Sequence, residues 1–394
     1  MTSSTPLSAP PRLQGIDALR GVLACGVMSY HYLLWTSLSL GTCGDRIFAS
    51  IGLYAVEAFF VISGMSLAFA YRTTDFAAPE AIGQFAIRRY FRIAPLFYLV
   101  LAATLVLKGV AVLVLHTPGV ELPSISRLLG NLTLLFGLTG PEQSVVIAGW
   151  SIGVEMVFYL LFPALAWTLF RGSRLSAGLV CGTVAAIGLL FSSTFLPAGN
   201  SWSCYVNVTN HLPFFVAGML LARLLSSCDE TGSDARRIRA RWSLLLGLIL
   251  FGSVSMITPE EALLVSGWRR GALSLLTIGM VGAVAAGSTD SPFRSFAVAG
   301  RRLGDWSFSI YLTHFLSFTV LQQVLPRDRP ILLISAAMTA TALASAVLFR
   351  WFETPMIALG KRVAQRWSAA CRPRPLSQPL EAKTSDSAAS RRAA

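Results

Sequence analysis

Asp17-Ala-Leu-Arg20-Gly-Val-Leu-Ala-Cys25-Gly-Val-Met-Ser-Tyr-His31 opens an apolar run that continues to about residue 40, long enough to cross a bilayer, with two ionisable groups inside it. Arg20 and His31 are eleven positions apart. At about 100° per residue that is about three turns, so a helix would project both from one face, about 16 Å apart along its axis. An ionisable group in the hydrocarbon region costs at least a few kcal/mol and belongs facing a bundle interior or a wet cavity. The stretch therefore reads as a transmembrane helix and as one wall of a site.

Composition agrees with the span. The 394 residues are 54% hydrophobic and only 13% charged, with a mean hydropathy of +0.63, which excludes an ordinary soluble domain. The formal net charge of +13 does not read as a nucleic-acid surface, because the basic residues sit in short loops between apolar runs without interleaved aromatics. Counting about 20 apolar residues per span predicts ten, near 18–40, 51–70, 93–115, 145–170, 176–196, 207–225, 243–257, 268–286, 306–325 and 331–352. The apolar piece Leu128 to Leu138 is too short to cross.

Arginine bias near the span ends sets the orientation. Arg72, Arg88, Arg89, Arg92, Arg171, Arg174, Arg236, Arg237, Arg239, Arg241, Arg294, Arg301 and Arg302 fall on one side if both termini are cytoplasmic. Arg269, Arg270, Arg327 and Arg329 dissent, partly offset by Glu260, Glu261 and Asp328. The expectation is an all-α integral membrane protein of about ten helices. Its divisions are a polar N-terminal segment at 1–11, a transmembrane domain at 12–360 and a basic, disordered cytoplasmic tail at 361–394, with a further loop at Cys228 to Arg241. The first helix serves as its own insertion signal rather than as a cleaved leader. The cysteines show no metal-ligand spacing, so no metal is expected. Cys43 and Cys204, in expected outer loops, leave a disulfide open. Asn131-Leu-Thr and Asn207-Val-Thr are sequons short enough to arise by chance.

Four blocks carry residues that could do chemistry. Arg20 reads as an interfacial anchor or a site residue; His31, near mid-span, reads as a satisfied core histidine or a general base. Arg89 and Arg92 in Arg88-Arg89-Tyr-Phe-Arg92 share a helical face, as positive-inside anchors or as a phosphate-binding fork. Ser151, Glu155 and Tyr159 recur at i,i+4 on one face, and Glu155 or Glu57 could orient a histidine base or simply make a structural hydrogen bond. Ser307, Tyr311 and His314 form a polar stripe, either interhelical glue or part of a site, while His116 and His211 lack such company and read as structural.

Taken in order, Asp17-Ala-Leu-Arg20-Gly, the Arg20…His31 spacing, Phe59-Phe-Val-Ile-Ser63-Gly64, Arg89-Tyr-Phe-Arg92, Trp150-Ser151 with Glu155 and Phe158-Tyr159, Ser307 with Tyr311-Leu-Thr-His314, and Glu353-Thr-Pro355 resemble the membrane acyltransferase-3 family. Members of that family O-acylate bacterial glycans and some small molecules. The resemblance implies an O-acyltransferase of the bacterial inner membrane that moves an acyl group, acetyl foremost, from cytoplasmic acyl-CoA to a hydroxyl of a carbohydrate-containing acceptor. It implies no tightly bound cofactor and makes acyl-CoA, the glycan and the bilayer the partners, with no nucleic acid. It assigns catalysis to Arg20 and His31 and donor handling to Arg89 and Arg92. Many relatives carry an extra periplasmic hydrolase-like domain, and here acceptor handling is expected of the membrane part. The competing reading is a proton-coupled secondary transporter using the Arg, His and Glu cluster, although no internal repeat is visible.

Overall fold

The computed structural model describes residues 14–195, 202–226, 233–258, 264–287 and 294–371. The expected N-terminal segment, Cys228, Glu260 and Glu261, and the tail beyond residue 371 lie outside the described residues. The described chain is built of helices, because hydrocarbon offers backbone groups no water and a helix satisfies them within the segment. In order these are α1 (Gln14–Thr36), α2 (Gly41–Tyr71), α3 (Pro79–Leu113), the short α4 (Ile125–Thr133) and α5 (Phe136–Thr139), α6 (Trp150–Phe170), α7 (Arg174–Leu190), α8 (Trp202–Val206), α9 (Val208–Ser226), α10 (Ser233–Met256), α11 (Gly267–Ala286), α12 (Arg294–Leu321), α13 (Pro330–Leu348) and α14 (Thr354–Cys371). Proline at the first helical positions starts α3 and α13, and the Ser124 and Ser173 side chains cap α4 and α7.

Eight helices among the described residues are long and apolar enough to cross a membrane. Two of the ten expected spans, α1 and α12, fall short in apolar content. They have 23 and 28 residues, about 35 and 42 Å at 1.5 Å per residue, so length alone would let them cross. Their polarity has a structural cause: they pack along each other, with His31 and His314 meeting in the seam and Arg20, Ser307 and Tyr311 lining an adjoining cavity. Small residues let the backbones meet. A Cβ on Gly304 would stand 2.0 Å from the Asp17 carbonyl oxygen, and one on Gly21 2.5 Å from Leu303 Cβ. A similar approach joins α2 to α9, where a Cβ on Gly218 would stand 2.0 Å from the Val61 carbonyl oxygen. Helix α2 is the central pillar, 72% of its apolar window buried, whereas α7 lies outermost with 6%.

Three further features depart from the expected map. The 125–148 segment folds back against α3: Tyr98, near the middle of α3, donates to the Leu132 carbonyl (2.7 Å), and Phe97 stacks on Phe136. Irregular backbone at that depth must be satisfied by protein. Fully buried Asn131 donates to the Arg127 and Gln143 carbonyls and accepts from Val145 N–H, so its sequon is closed to modification. The loop expected at 228–241 is shorter, since α10 is already helical at Ser233. Helicity also runs through Cys371, past the boundary expected at 360, because Gly360, Ala364 and Ser368 form a buried stripe laid on α3. Between α13 and α14 a π-turn, Phe349–Glu353, keeps the two as one continuous rod. Cys43 and Cys204 do not form the disulfide that the sequence left open.

Candidate active site

A cavity of about 360 Å³, near the low end of the roughly 300–1,000 Å³ of ligand sites, opens between α1, α2, α3, α6 and α12. Arg20 enters it from α1, Ser63 from α2, Arg89 and Arg92 from α3, Ser151, Glu155 and Tyr159 from α6, and Ser307 and Tyr311 from α12. With Ser66, also from α2, ten polar side chains scattered over the sequence thus converge. The i,i+4 stripe on α6 faces the cavity as a unit: Glu155 Oε1 accepts from Tyr159 Oη (2.6 Å) and from Ser63 Oγ (2.8 Å). Ser151 Oγ meets Tyr311 Oη at 2.8 Å, and Tyr311 Oη also reaches the Ala148 carbonyl.

The charges do not balance. Three guanidinium groups line the cavity against a single carboxylate, Glu155, which acts electrostatically on Arg20. Arg89 lies between the Tyr71 and Tyr159 rings, 5.9 Å from each centroid, a placement that holds a cation without cancelling its charge. Its Nε is buried with no hydrogen-bond partner. Arg92 has buried Glu353 within electrostatic reach, and Glu353 Oε1 accepts from Ser309 while Oε2 has no hydrogen-bond partner. Uncompensated positive charge in a low-dielectric interior is costly, so the arrangement suits an anionic ligand held by arginine forks.

His31 does not line this cavity. It forms a second cluster, one helical turn away along α12, where its Nδ1 stands 3.2 Å from His314 Nε2. Tyr311 joins the two clusters: its hydroxyl lines the cavity and its carbonyl accepts from His314 Nδ1 at 2.7 Å. Trp35 lies against both imidazoles, with ring centroids 5.1 and 5.8 Å away. The partner of His31 is therefore a second imidazole, whereas the hydrogen bonds of Glu155 go to Ser63 and Tyr159.

Glu57, the other carboxylate expected near His31, is elsewhere. It pairs with Arg270 at 3.0 Å, and Arg270 also donates to Asn210 Oδ1 at 2.8 Å, tying α2, α9 and α11 together. The reason is geometric: Phe59 and Ser63 share the cavity stripe of α2, and Glu57, six residues before Ser63, is turned about 120° away from it. Arg270, counted by sequence among outer-loop residues, is 3% exposed within α11. Fully buried His211 sits among Phe60, Trp150 and Tyr205, and His116 is exposed, so neither joins the site. The sequence assigned no role to Ser63 or Glu353. Both stood in blocks that were noted, but only packing shows where they point.

Residues 13–351 match the acyltransferase-3 family, whose description is an acyltransferase domain. Among curated proteins, the chain is 25% identical over 343 residues to the acyltransferase MdmB of Streptomyces mycarofaciens, covering 78% of this chain and 80% of that protein. It is 23% identical over 376 residues to the peptidoglycan O-acetyltransferase OatA of Listeria monocytogenes serovar 1/2a, covering 86% of this chain but only 55% of that longer protein. No solved structure matches. With the match running through every helix that supplies a polar side chain to the cavity, this multi-pass membrane protein belongs to the acyltransferase-3 family and is an acyltransferase.

Proposed function

We propose that the protein transfers an acyl group, acetyl in the first instance, from acyl-CoA to a hydroxyl of a carbohydrate-containing acceptor at a bacterial inner membrane. The observation that carries this reading is the convergence of Arg20, Arg89 and Arg92 on one cavity lined also by Tyr311, whose carbonyl is hydrogen-bonded to the His31–His314 pair. The activity of one relative, peptidoglycan O-acetylation, supports both the acetyl group and the glycan. The arginine bias of the loops supports cytoplasmic termini, which would put the arginines toward the side where acyl-CoA is made.

Arg89 and Arg92 hold donor phosphate by charge-assisted hydrogen bonds, with Arg20 fixing the donor deeper in the cavity. The acyl end reaches toward the Phe59–Tyr311 ring contact and His31 beyond it. His31 takes the acceptor hydroxyl's proton, the oxygen bonds to the thioester carbonyl carbon, and the C–S bond breaks. The CoA thiolate leaves and recovers the proton from the imidazolium. Glu155, gripped by Ser63 and Tyr159, offsets part of the arginine charge so that Arg20 keeps its place without a ligand. Family membership removes the support for a transporter.

The test is free-thiol release by the purified protein given acetyl-CoA, with and without a glycan extract, followed by mass spectrometry of the glycan. Acceptor-dependent thiol release with an acetyl mass gain is expected. Proton-coupled solute flux without thiol release would overturn the reading.

A further inference from the structure

The hydrogen bonds around the two imidazoles leave one arrangement of protons. His314 Nδ1 lies 2.7 Å from the Tyr311 carbonyl oxygen, and a carbonyl only accepts, so this nitrogen carries the hydrogen. In a neutral ring, His314 Nε2 is then a lone-pair acceptor. That acceptor stands 3.2 Å from His31 Nδ1, which must be an N–H for the bond to form. The two rings are tilted 27° from each other with centroids 5.1 Å apart, and the 3.2 Å nitrogen–nitrogen contact is the hydrogen bond between them.

We infer that His314 is a positioning residue that fixes His31 in its Nδ1–H tautomer and thereby directs the His31 Nε2 lone pair at the acceptor hydroxyl. This deepens the proposed function and rests on it for the identity of the base. His314 takes the place that a carboxylate holds in catalytic triads. A neutral acceptor orients the ring without adding a buried negative charge, which an apolar seam would tolerate poorly. The surroundings hold the pair firmly. Tyr32 Oη, one residue from His31, donates to the His314 carbonyl (2.9 Å) and meets Thr341 Oγ1 at 2.7 Å, so α1, α12 and α13 are pinned at this level. Trp35 covers both rings, its plane 22° from His31 and 7° from His314.

The chain has four histidines, so ¹⁵N-histidine labelling with single substitutions assigns each ring by NMR. Wild type should show His31 as the Nδ1–H tautomer. His314→Phe keeps a flat ring but offers no acceptor, and should give mixed His31 tautomers and turnover lowered about tenfold or more, short of the roughly 10²-fold or greater loss expected without the base. The acyl-CoA KM should not change. His314→Gln, whose side-chain oxygen can accept from His31 Nδ1–H, should restore both tautomer and most turnover. A single Nδ1–H tautomer persisting in folded His314→Phe, or a His314→Gln protein no better than His314→Phe by both measures, would overturn the inference. Full turnover in His31→Ala would instead overturn the proposed base, and with it the catalytic consequence of the pair. The NMR result judges the hydrogen-bond assignment without reference to activity.

Discussion

Two clusters of buried charge lie in this bundle, and they differ in how their charges balance. At Glu57, Arg270 and Asn210, one carboxylate meets one guanidinium at 3.0 Å and an amide oxygen takes a second donor. At Arg20, Arg89, Arg92 and Glu155, three cations share one lining carboxylate around open volume. The first cluster is complete as it stands and links three helices. The second turns guanidinium groups toward open volume, where an anion would fit. An intramembrane charge is therefore informative about function through its balance rather than its presence, and each cluster makes its own prediction.

The largest effect is expected at the balanced cluster. Glu57→Ala leaves Arg270 buried without its partner, a loss of about 3–5 kcal/mol. It should appear as a lower melting temperature and folded yield in detergent, with the rate per folded molecule preserved. Normal stability with a reduced rate would place Glu57 in the reaction and erase the contrast. At the reacting end of the open site, His31→Ala should insert normally and lose turnover by about 10²-fold or more. Near-normal turnover in a correctly inserted protein would remove the base.

Smaller effects sharpen the arginine side. Arg89→Lys keeps the charge but not the fork or the seat between Tyr71 and Tyr159, so acyl-CoA affinity should fall by about tenfold with stability little changed. Unchanged donor affinity and salt dependence would return the arginines to the role of topological anchors. Smallest is Glu155→Gln, which keeps an acceptor for Ser63 and Tyr159 and makes the cavity more positive. A several-fold lower maximal rate, about 1 kcal/mol, is expected, with donor affinity equal or tighter. Weaker donor binding would show that Glu155 holds the arginines in place rather than offsetting their charge.

Much of this was legible in the chain. Apolar run lengths gave the helical membrane class, the Arg20–His31 spacing put both on one face, and the i,i+4 stripe of Ser151, Glu155 and Tyr159 does face one cavity. Partners were not legible, because periodicity fixes which residues share a face but not which helix that face meets. Glu155 and His31 looked paired by depth, yet α1 lies along α12 and gives His31 to His314. Arg270 read as an outer-loop charge because its partner Glu57 lies 213 positions away. The seam helices α1 and α12 are the least apolar of the expected spans for the same reason that they bear the histidines.

The π-turn at Phe349–Glu353 gives the chain a tolerance in length. A π-turn holds one residue more than an α-helical path needs, so the helices on either side can keep their packing if one residue is lost there. Removing Trp351, 72% exposed on the outside of the turn, would let the rod close to plain α-helix with α14 still laid along α3. What would move is the carboxylate of Glu353, drawn out of its place beside Ser309 and Arg92. At this turn the protein can lose a residue and keep its architecture while its arginine site is retuned.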